Sequence, residues 1–391
     1  MEKKSQTQEI KAFRAGAILS MQSQRPWIQD GVLLTAGERI LQVDSYKALK
    51  PELLDVPLQD LGSSSIMAPG LINAHTHLEL SHLQGRTQLG QGFEPWVQSL
   101  IKLPLSGVEP EILQSTLLQL GQNGTICVGD ISSHNPRQVL AQLQGSGLEY
   151  LLFLEFLGFS ALKSRQLQWP KGLNPKKQKQ LSLSGHALYS THPGTLQLAK
   201  DWTLRNKRPF ALHLAEHAGE VELLATGRGG LAELLKGALL PEDYVPPGMS
   251  PVRFADSLGL LDGQTLAVHC VHLSPQDLEI LQERGCYVCL CPRSNNNINV
   301  GRAPWEKMLQ AGMPLCLGTD SLASNQDLDL WSEAEHLLRY KQIEIKLPDL
   351  LRFMTMNPAR ILGLERSLGS LQPGKRAAFS LVPQRIQDIL L

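Results

Sequence analysis

The chain has 391 residues, long for one domain and well matched to an α/β barrel with an appendage. Hydrophobic residues make up 42%, enough for a large core, and 37 basic against 37 acidic residues leave no net charge. That balance, with no basic block anywhere, speaks against nucleic acid or an anionic membrane as partner.

The polar start "MEKKSQTQEIKAF" lacks the apolar core of a secretory signal, and no apolar stretch is long enough to span a bilayer. Cys127, Cys270, Cys286, Cys289, Cys291 and Cys316 mostly sit inside apolar runs, as buried thiols in a reducing compartment do. The expected location is the cytoplasm.

Residues 11–66 alternate short β-like runs with turn signals ("FRAGAILSM", "GVLLTAGERILQV", "PLQDLGSSSIMAPG"), with one helical patch at "SYKALKPELL". From Pro69 onward, apolar strand-like runs alternate with longer amphipathic stretches. Eight such runs follow: 71–80, 124–132, 149–159, 181–190, 209–216, 265–273, 286–294 and 314–321. Helix-like segments such as "PRQVLAQLQ" and "SPQDLEILQERG" separate them. Eight strand–helix repeats with continuously apolar strands predict a (β/α)8 TIM barrel. After helices at "LWSEAEHLLRYKQ" and "LPDLLRFMTMNPARILGL", "GSLQPGKRAAFSLV" returns to strand character. The predicted organisation is a barrel over 68–365, with 1–67 and 366–391 pairing into one small β-sandwich. Residues 1–10 and "QRIQDILL" are expected to fray.

In such a barrel the chemistry sits at the C-terminal strand ends. "PGLINAHTHLELS" brings His75 and His77, two residues apart and so on one strand face. "LHLAE" brings His213 and Glu216, "VHCVH" brings His269 and His272, and "LGTDS" brings Asp320. Each has an ordinary alternative, such as a hydrogen-bonded core histidine or a helix N-cap aspartate. Their convergence on one rim is the signal. Three imidazoles and a carboxylate suit one divalent ion, Zn²⁺ first and Fe²⁺ second, that lowers the pKa of a bound water to roughly 7. In that reading His75, His77, His213 and Asp320 hold the metal. Asp320 accepts the proton of the water, Glu216 exchanges a proton with the substrate, and His269 stabilises the attacking hydroxide or the developing oxyanion.

With "CPRSNNNINVGRAP", "LGTDSLASN" and "NPARILGL…GSLQPGK" added, nearly the whole chain resembles the amidohydrolase superfamily, in its aminohydrolase branch of nucleobase, nucleoside and triazine hydrolases. The resemblance implies the same four ligands, Glu216 as acid/base and His269 beside the metal. It also implies a single metal, because "LSLSGHALYS" offers no bridging lysine. "HTHLELSHL…GFEPWVQSLI" looks most like deaminases of 6-amino-6-deoxyfutalosine in an alternative menaquinone route. Deaminases of S-adenosylhomocysteine- or adenosine-like nucleosides come next, and hydrolases of cyclic amides or chlorotriazines after them. His186 matches a purine-contacting position, although "HALYST" departs from the commoner "HAPYT". Glu79 is expected either on a substrate ring or hydroxyl or in a cap or salt bridge. Trp96, with Phe93, is expected either to wall the pocket or simply to pack. Ser294 and Asn295 are expected to line the site. The partner is a small molecule, and a homodimer is expected by analogy alone.

Overall fold

In a computed structural model, residues 9–159, 166–237 and 239–391 are described. The first five strands, β1 (Ile10–Leu19), β2 (Trp27–Ala36), β3 (Arg39–Ser45), β4 (Leu58–Asp60) and β5 (Ile66–Pro69), precede any barrel strand. β1 pairs antiparallel with β2 on one edge, and in parallel with β4 and then β5 on the other. Residues Phe379–Leu381 join the same hydrogen-bonded sheet through β5, so the two terminal segments share it. Ala15, Ile18, Leu33, Ile40 and Met67 form its core, and the Phe13 and Phe379 rings meet edge to face with centroids 5.1 Å apart.

Eight parallel strands follow: β6 (Leu71–Thr76), β7 (Thr125–Ser132), β8 (Glu149–Phe156), β9 (Leu181–Ala187), β10 (Phe210–Leu214), β11 (Thr265–His269), β12 (Tyr287–Leu290) and β13 (Leu315–Leu317). They pair in chain order, and the ring closes where the Thr319 and Asp320 amides both donate to the His75 carbonyl at 3.1 Å. Gly318 permits that approach, since a Cβ there would lie 2.8 Å from the His75 carbonyl oxygen and 2.8 Å from Cys289 Sγ. The architecture is a (β/α)8 barrel. β14 (Phe379–Leu381) then returns to pair antiparallel with β5.

Strand side chains alternate between faces, and here the two faces make two separate cores. Ile72, Ala74, Leu151, Phe153, Ala211, Leu266, Val268, Cys289 and Cys316 fill the barrel interior. Leu71, Leu152, Leu154, Leu183, Leu212, Val288 and Leu315 face outward beneath the helices. Truncating a fully buried ring such as Phe153 would cost about 3–5 kcal/mol. All six cysteines are free and buried. The end of the chain is not frayed. Residues Gln384–Leu390 form a helix with Ile386 fully buried, and Arg385 pairs with Asp329 and Glu335 of the neighbouring segment at 3.0 Å each. Of the other terminus, Ile10 already lies in β1, and residues 1–8 lie outside the described residues. No helix among the described residues is long and apolar enough to cross a membrane.

Candidate active site

The strand ends deliver the predicted residues into one place. His75 is the penultimate residue of β6. His77 lies one residue beyond the strand, where the backbone turns into the short helix Leu78–Leu83, so the pair does not share a strand face as the spacing predicts. The two rings meet nevertheless. Nε2 of His75 is 3.2 Å from Nε2 of His77 and 3.2 Å from Nε2 of His213, and the His77–His213 separation is 3.4 Å. Asp320 Oδ1 lies 3.9 Å from His75 Nε2 and 3.7 Å from His77 Nε2.

Burial is the largest cause that pulls His75, His77 and His213 below the ordinary histidine range, and for His75 and His213 the mutual repulsion of neighbouring rings adds to it. Three neutral imidazoles turning the same nitrogen toward one point is unfavourable unless a cation draws the lone pairs together. For a tetrahedral ion with bonds of about 2.0–2.1 Å, ligand atoms should stand about 3.3 Å apart, which is the spacing found. His213 Nδ1 donates to the His186 carbonyl at 2.8 Å, an arrangement that leaves Nε2 free to ligate. The residues fit a divalent metal.

The surrounding shell fixes the other groups. Asp320 Oδ2 accepts from Ser294 Oγ at 2.6 Å and Ser324 Oγ at 2.9 Å, which leaves Oδ1 toward the histidines. His269 Nδ1 donates to Asn295 Oδ1 at 2.9 Å, and its Nε2 faces Glu216 Oε1 at 3.5 Å. Glu220 accepts the Glu216 amide at 2.9 Å and so anchors the turn that carries Glu216. Burial, partly offset by His269, pushes the Glu216 carboxyl up to about 7. Ala215, His269 and Asp320 hold φ of 51°, 73° and 57°, left-handed values that non-glycine residues rarely adopt. Such outliers gather where a site over-determines the backbone.

These groups open into a cavity of about 360 Å³ lined by His77, Glu79, Trp96, His186, His213, Glu216, His269 and Asp320, with a leucine-rich outer part. Among the substrate-contact candidates, Trp96 and His186 line it. Trp96 Nε1 donates to the Ala323 carbonyl at 3.1 Å, and His186 Nδ1 is 2.5 Å from Ser190 Oγ. Glu79 also lines it, but its carboxylate is engaged by Ser132 Oγ at 2.5 Å and by the amides of Ser133, His134 and Asn135 at 2.7–2.9 Å. Burial raises this carboxyl, and hydrogen bonds from His134, Ser132, Ser133 and Asn135 outweigh that effect to bring it to about 2. In this arrangement Glu79 serves mainly as a cap on the loop amides that precede the helix Pro136–Gly145, with His134 Nδ1 3.5 Å from its Oε1. Ser294 and Asn295 do not reach the cavity lining. Their side chains turn onto Asp320 and His269, because the helix Pro292–Ile298 runs behind those residues. His217 is buried, stacked on Phe93 with centroids 3.6 Å apart.

The ionisable carboxyl of Glu155 is among the cavity groups that escaped the sequence reading. Glu155 lies inside the apolar run "EYLLFLEFLGF" and lines the same cavity. Its position two residues past Phe153, on the interior parity of β8, was the available signal.

Fold and site together define a metal-ligand-bearing barrel hydrolase. Residues 66–389 match the Amidohydrolase family, and the chain belongs to that family. The aminodeoxyfutalosine deaminase of Deinococcus radiodurans is 30% identical over 290 residues, 69% of this chain and 67% of that protein. The 5-methylthioadenosine/S-adenosylhomocysteine deaminase of Pelotomaculum thermopropionicum is 27% identical over 391 residues, 95% of this chain and 84% of that one. Among solved structures, Helicobacter pylori aminofutalosine deaminase in complex with methylthio-coformycin superposes with a TM-score of 0.82 at 21% identity, covering 97% of this chain and 95% of that one. Atrazine chlorohydrolase from Arthrobacter aurescens, complexed with zinc, gives 0.75 at 17% identity over 95% and 86% of the two chains.

Proposed function

We propose that this protein is a metal-dependent deaminase that hydrolyses the exocyclic amine of an amino-substituted purine or purine nucleoside. The leading candidate is 6-amino-6-deoxyfutalosine, in menaquinone biosynthesis, and the compounds named for the methylthioadenosine/S-adenosylhomocysteine relatives follow. The observation that carries the reading is the approach of three Nε2 atoms to within 3.2–3.4 Å beside Glu216, His269 and Asp320 in one cavity. His75, His77, His213 and Asp320 are assigned as ligands of one divalent ion, zinc in the first instance.

When bound, the ion supplies a water acidified to a pKa of roughly 7. The chain's own residues handle the protons. Asp320, with Oδ2 held by two hydroxyls, presents Oδ1 to take up a proton and later hand one to the departing amine. Glu216, near its midpoint at neutral pH, donates a proton to the ring nitrogen beside the reacting carbon. His269, oriented by Asn295, keeps Nε2 toward Glu216 and toward the oxygen entering the ring. Trp96 and His186 bound the space for the ring, and Glu79 ties the turn after His77 to the loop after β7.

Ammonia release by the zinc-loaded protein from 6-amino-6-deoxyfutalosine, 5-methylthioadenosine, S-adenosylhomocysteine, adenosine, guanine and cytosine tests the reading. Turnover of at least one purine is expected, with a loss of about 10²–10⁴-fold in Glu216→Gln and Asp320→Asn. Unchanged turnover in either variant would refute the assigned roles.

A further inference from the structure

The cavity wall formed by β8 and β9 has no part in the proton transfers, yet it carries two ionisable side chains. On β8, Leu151 and Phe153 face the barrel interior while Leu152 and Leu154 face out. Alternation therefore turns Glu155 inward at the open end of the barrel. On β9, Leu181 and Leu183 face out, which turns His186 inward beside it. Donor atoms of Glu155, His186 and His213 lie within 4.8 Å of one another.

A second metal does not account for this trio. His213 Nε2 already belongs to the three-histidine cluster, and its Nδ1 donates to the His186 carbonyl. A side-chain hydrogen bond from Ser133 engages the Glu155 carboxyl but satisfies only part of it. Its Oε1 is fully buried and has no partner among the described residues. A carboxyl group left in that condition weakens a fold, and an aliphatic side chain of similar size would serve packing better. Beside it, His186 Nδ1 is occupied by Ser190 at 2.5 Å, so Nε2 is the ring nitrogen left for the cavity.

We propose that Glu155 is a substrate-contacting residue which, with His186, hydrogen-bonds the edge of the substrate remote from the reacting carbon and so sets specificity. This rests on the deaminase reading above, because it is the approach of the amine-bearing carbon to Glu216 and the histidine cluster that turns the opposite edge toward β8 and β9. The partner atom is a hydrogen-bonding group on the nucleoside, either the ring nitrogen on the far edge of the purine or a sugar hydroxyl next to it.

The experiment uses the full-length, zinc-loaded protein with adenosine, 3-deazaadenosine and 2′-deoxyadenosine. Native, Glu155→Leu and Glu155→Gln forms are compared by kcat/KM, by kcat and KM separately, and by melting temperature. The native protein is expected to lose at least tenfold in kcat/KM with one of the two analogues, which identifies the partner atom. Glu155→Leu should lose at least tenfold with adenosine and then be indifferent to that deletion, within twofold. Glu155→Gln should retain most of the activity. The melting temperature of Glu155→Leu should equal or exceed that of the native protein, since a structural carboxyl would lower it on removal. Undiminished sensitivity of Glu155→Leu to both deletions, or a lowered melting temperature, would overturn the assignment while leaving the deaminase reading intact. Absence of ammonia from every aminopurine with the native protein would overturn the deaminase reading and this assignment with it.

Discussion

Ser294→Ala tests whether the orientation of Asp320 is set from behind. The Ser294 hydroxyl donates to Asp320 Oδ2 at 2.6 Å and the Ser324 hydroxyl at 2.9 Å, and the two serine oxygens are themselves 2.8 Å apart. A hydrogen bond to an ionised group contributes about 1.5–3 kcal/mol. Because Ser324 remains in Ser294→Ala, the loss should sit at the low end, near 1.4 kcal/mol, or about tenfold in metal affinity. Removing both hydroxyls leaves Oδ2 without a donor and should move the loss toward a hundredfold. The assay is competition for Zn²⁺ against a chromophoric chelator at fixed pH. Melting of the metal-free forms serves as the check that the fold is intact. Since the hydroxyls touch one another, the double variant should depart from the sum of the singles. A zinc dissociation constant within twofold of native in both single variants and in the double variant would refute the reasoning.

Asn295→Ala should lower kcat by about 10–100-fold with little change in KM, because His269 loses the acceptor at 2.9 Å that orients it, and equal kcat would rule that role out. Zinc at 100 times its dissociation constant should stabilise the metal-free protein by about 2.7 kcal/mol, read as a rise in melting temperature that EDTA reverses. Burial, against the pull of Arg293, raises the Glu333 carboxyl from 4.5 to about 8. The folded form therefore holds a proton that the unfolded chain has released, and stability falls as pH rises from about 5 through 8. Glu333→Gln should flatten that slope in urea midpoints, and an unaltered slope would exclude the group. Lys200 is buried, with Nζ on Asp262 at 2.6 Å and Thr265 at 2.7 Å. Lys200→Met should cost about 2 kcal/mol without changing kcat, as partly exposed Asp262 can be rehydrated, and a stability equal to native would contradict it.

The repeating βα pattern was legible because barrel strands bury both faces and so read as unbroken apolar runs. His75, His213 and Asp320 stood out for the same reason, as polar residues ending such runs. Glu155 was hidden by the reverse effect, one charge inside "LLFLEFLGF", where only strand parity marks it as inward. Ser294 and Asn295 were visible as residues but not in direction. Whether a side chain on Pro292–Ile298 meets the cavity or the backs of Asp320 and His269 depends on how that helix is set across the barrel, which no local spacing encodes. The closing helix Gln384–Leu390 looked like a loose end because its fully buried Ile386 finds its cover in tertiary packing rather than in its own sequence.

The pairing of β14 with β5 carries a consequence for biogenesis. β5 runs through a single glycine into β6, the strand that bears His75, yet its outer neighbour is translated only after all eight barrel strands. The histidine-bearing strand therefore gains its flanking support only after synthesis of the barrel is complete, so a nascent chain stalled before Phe379 would carry every proposed ligand and still lack that lateral brace.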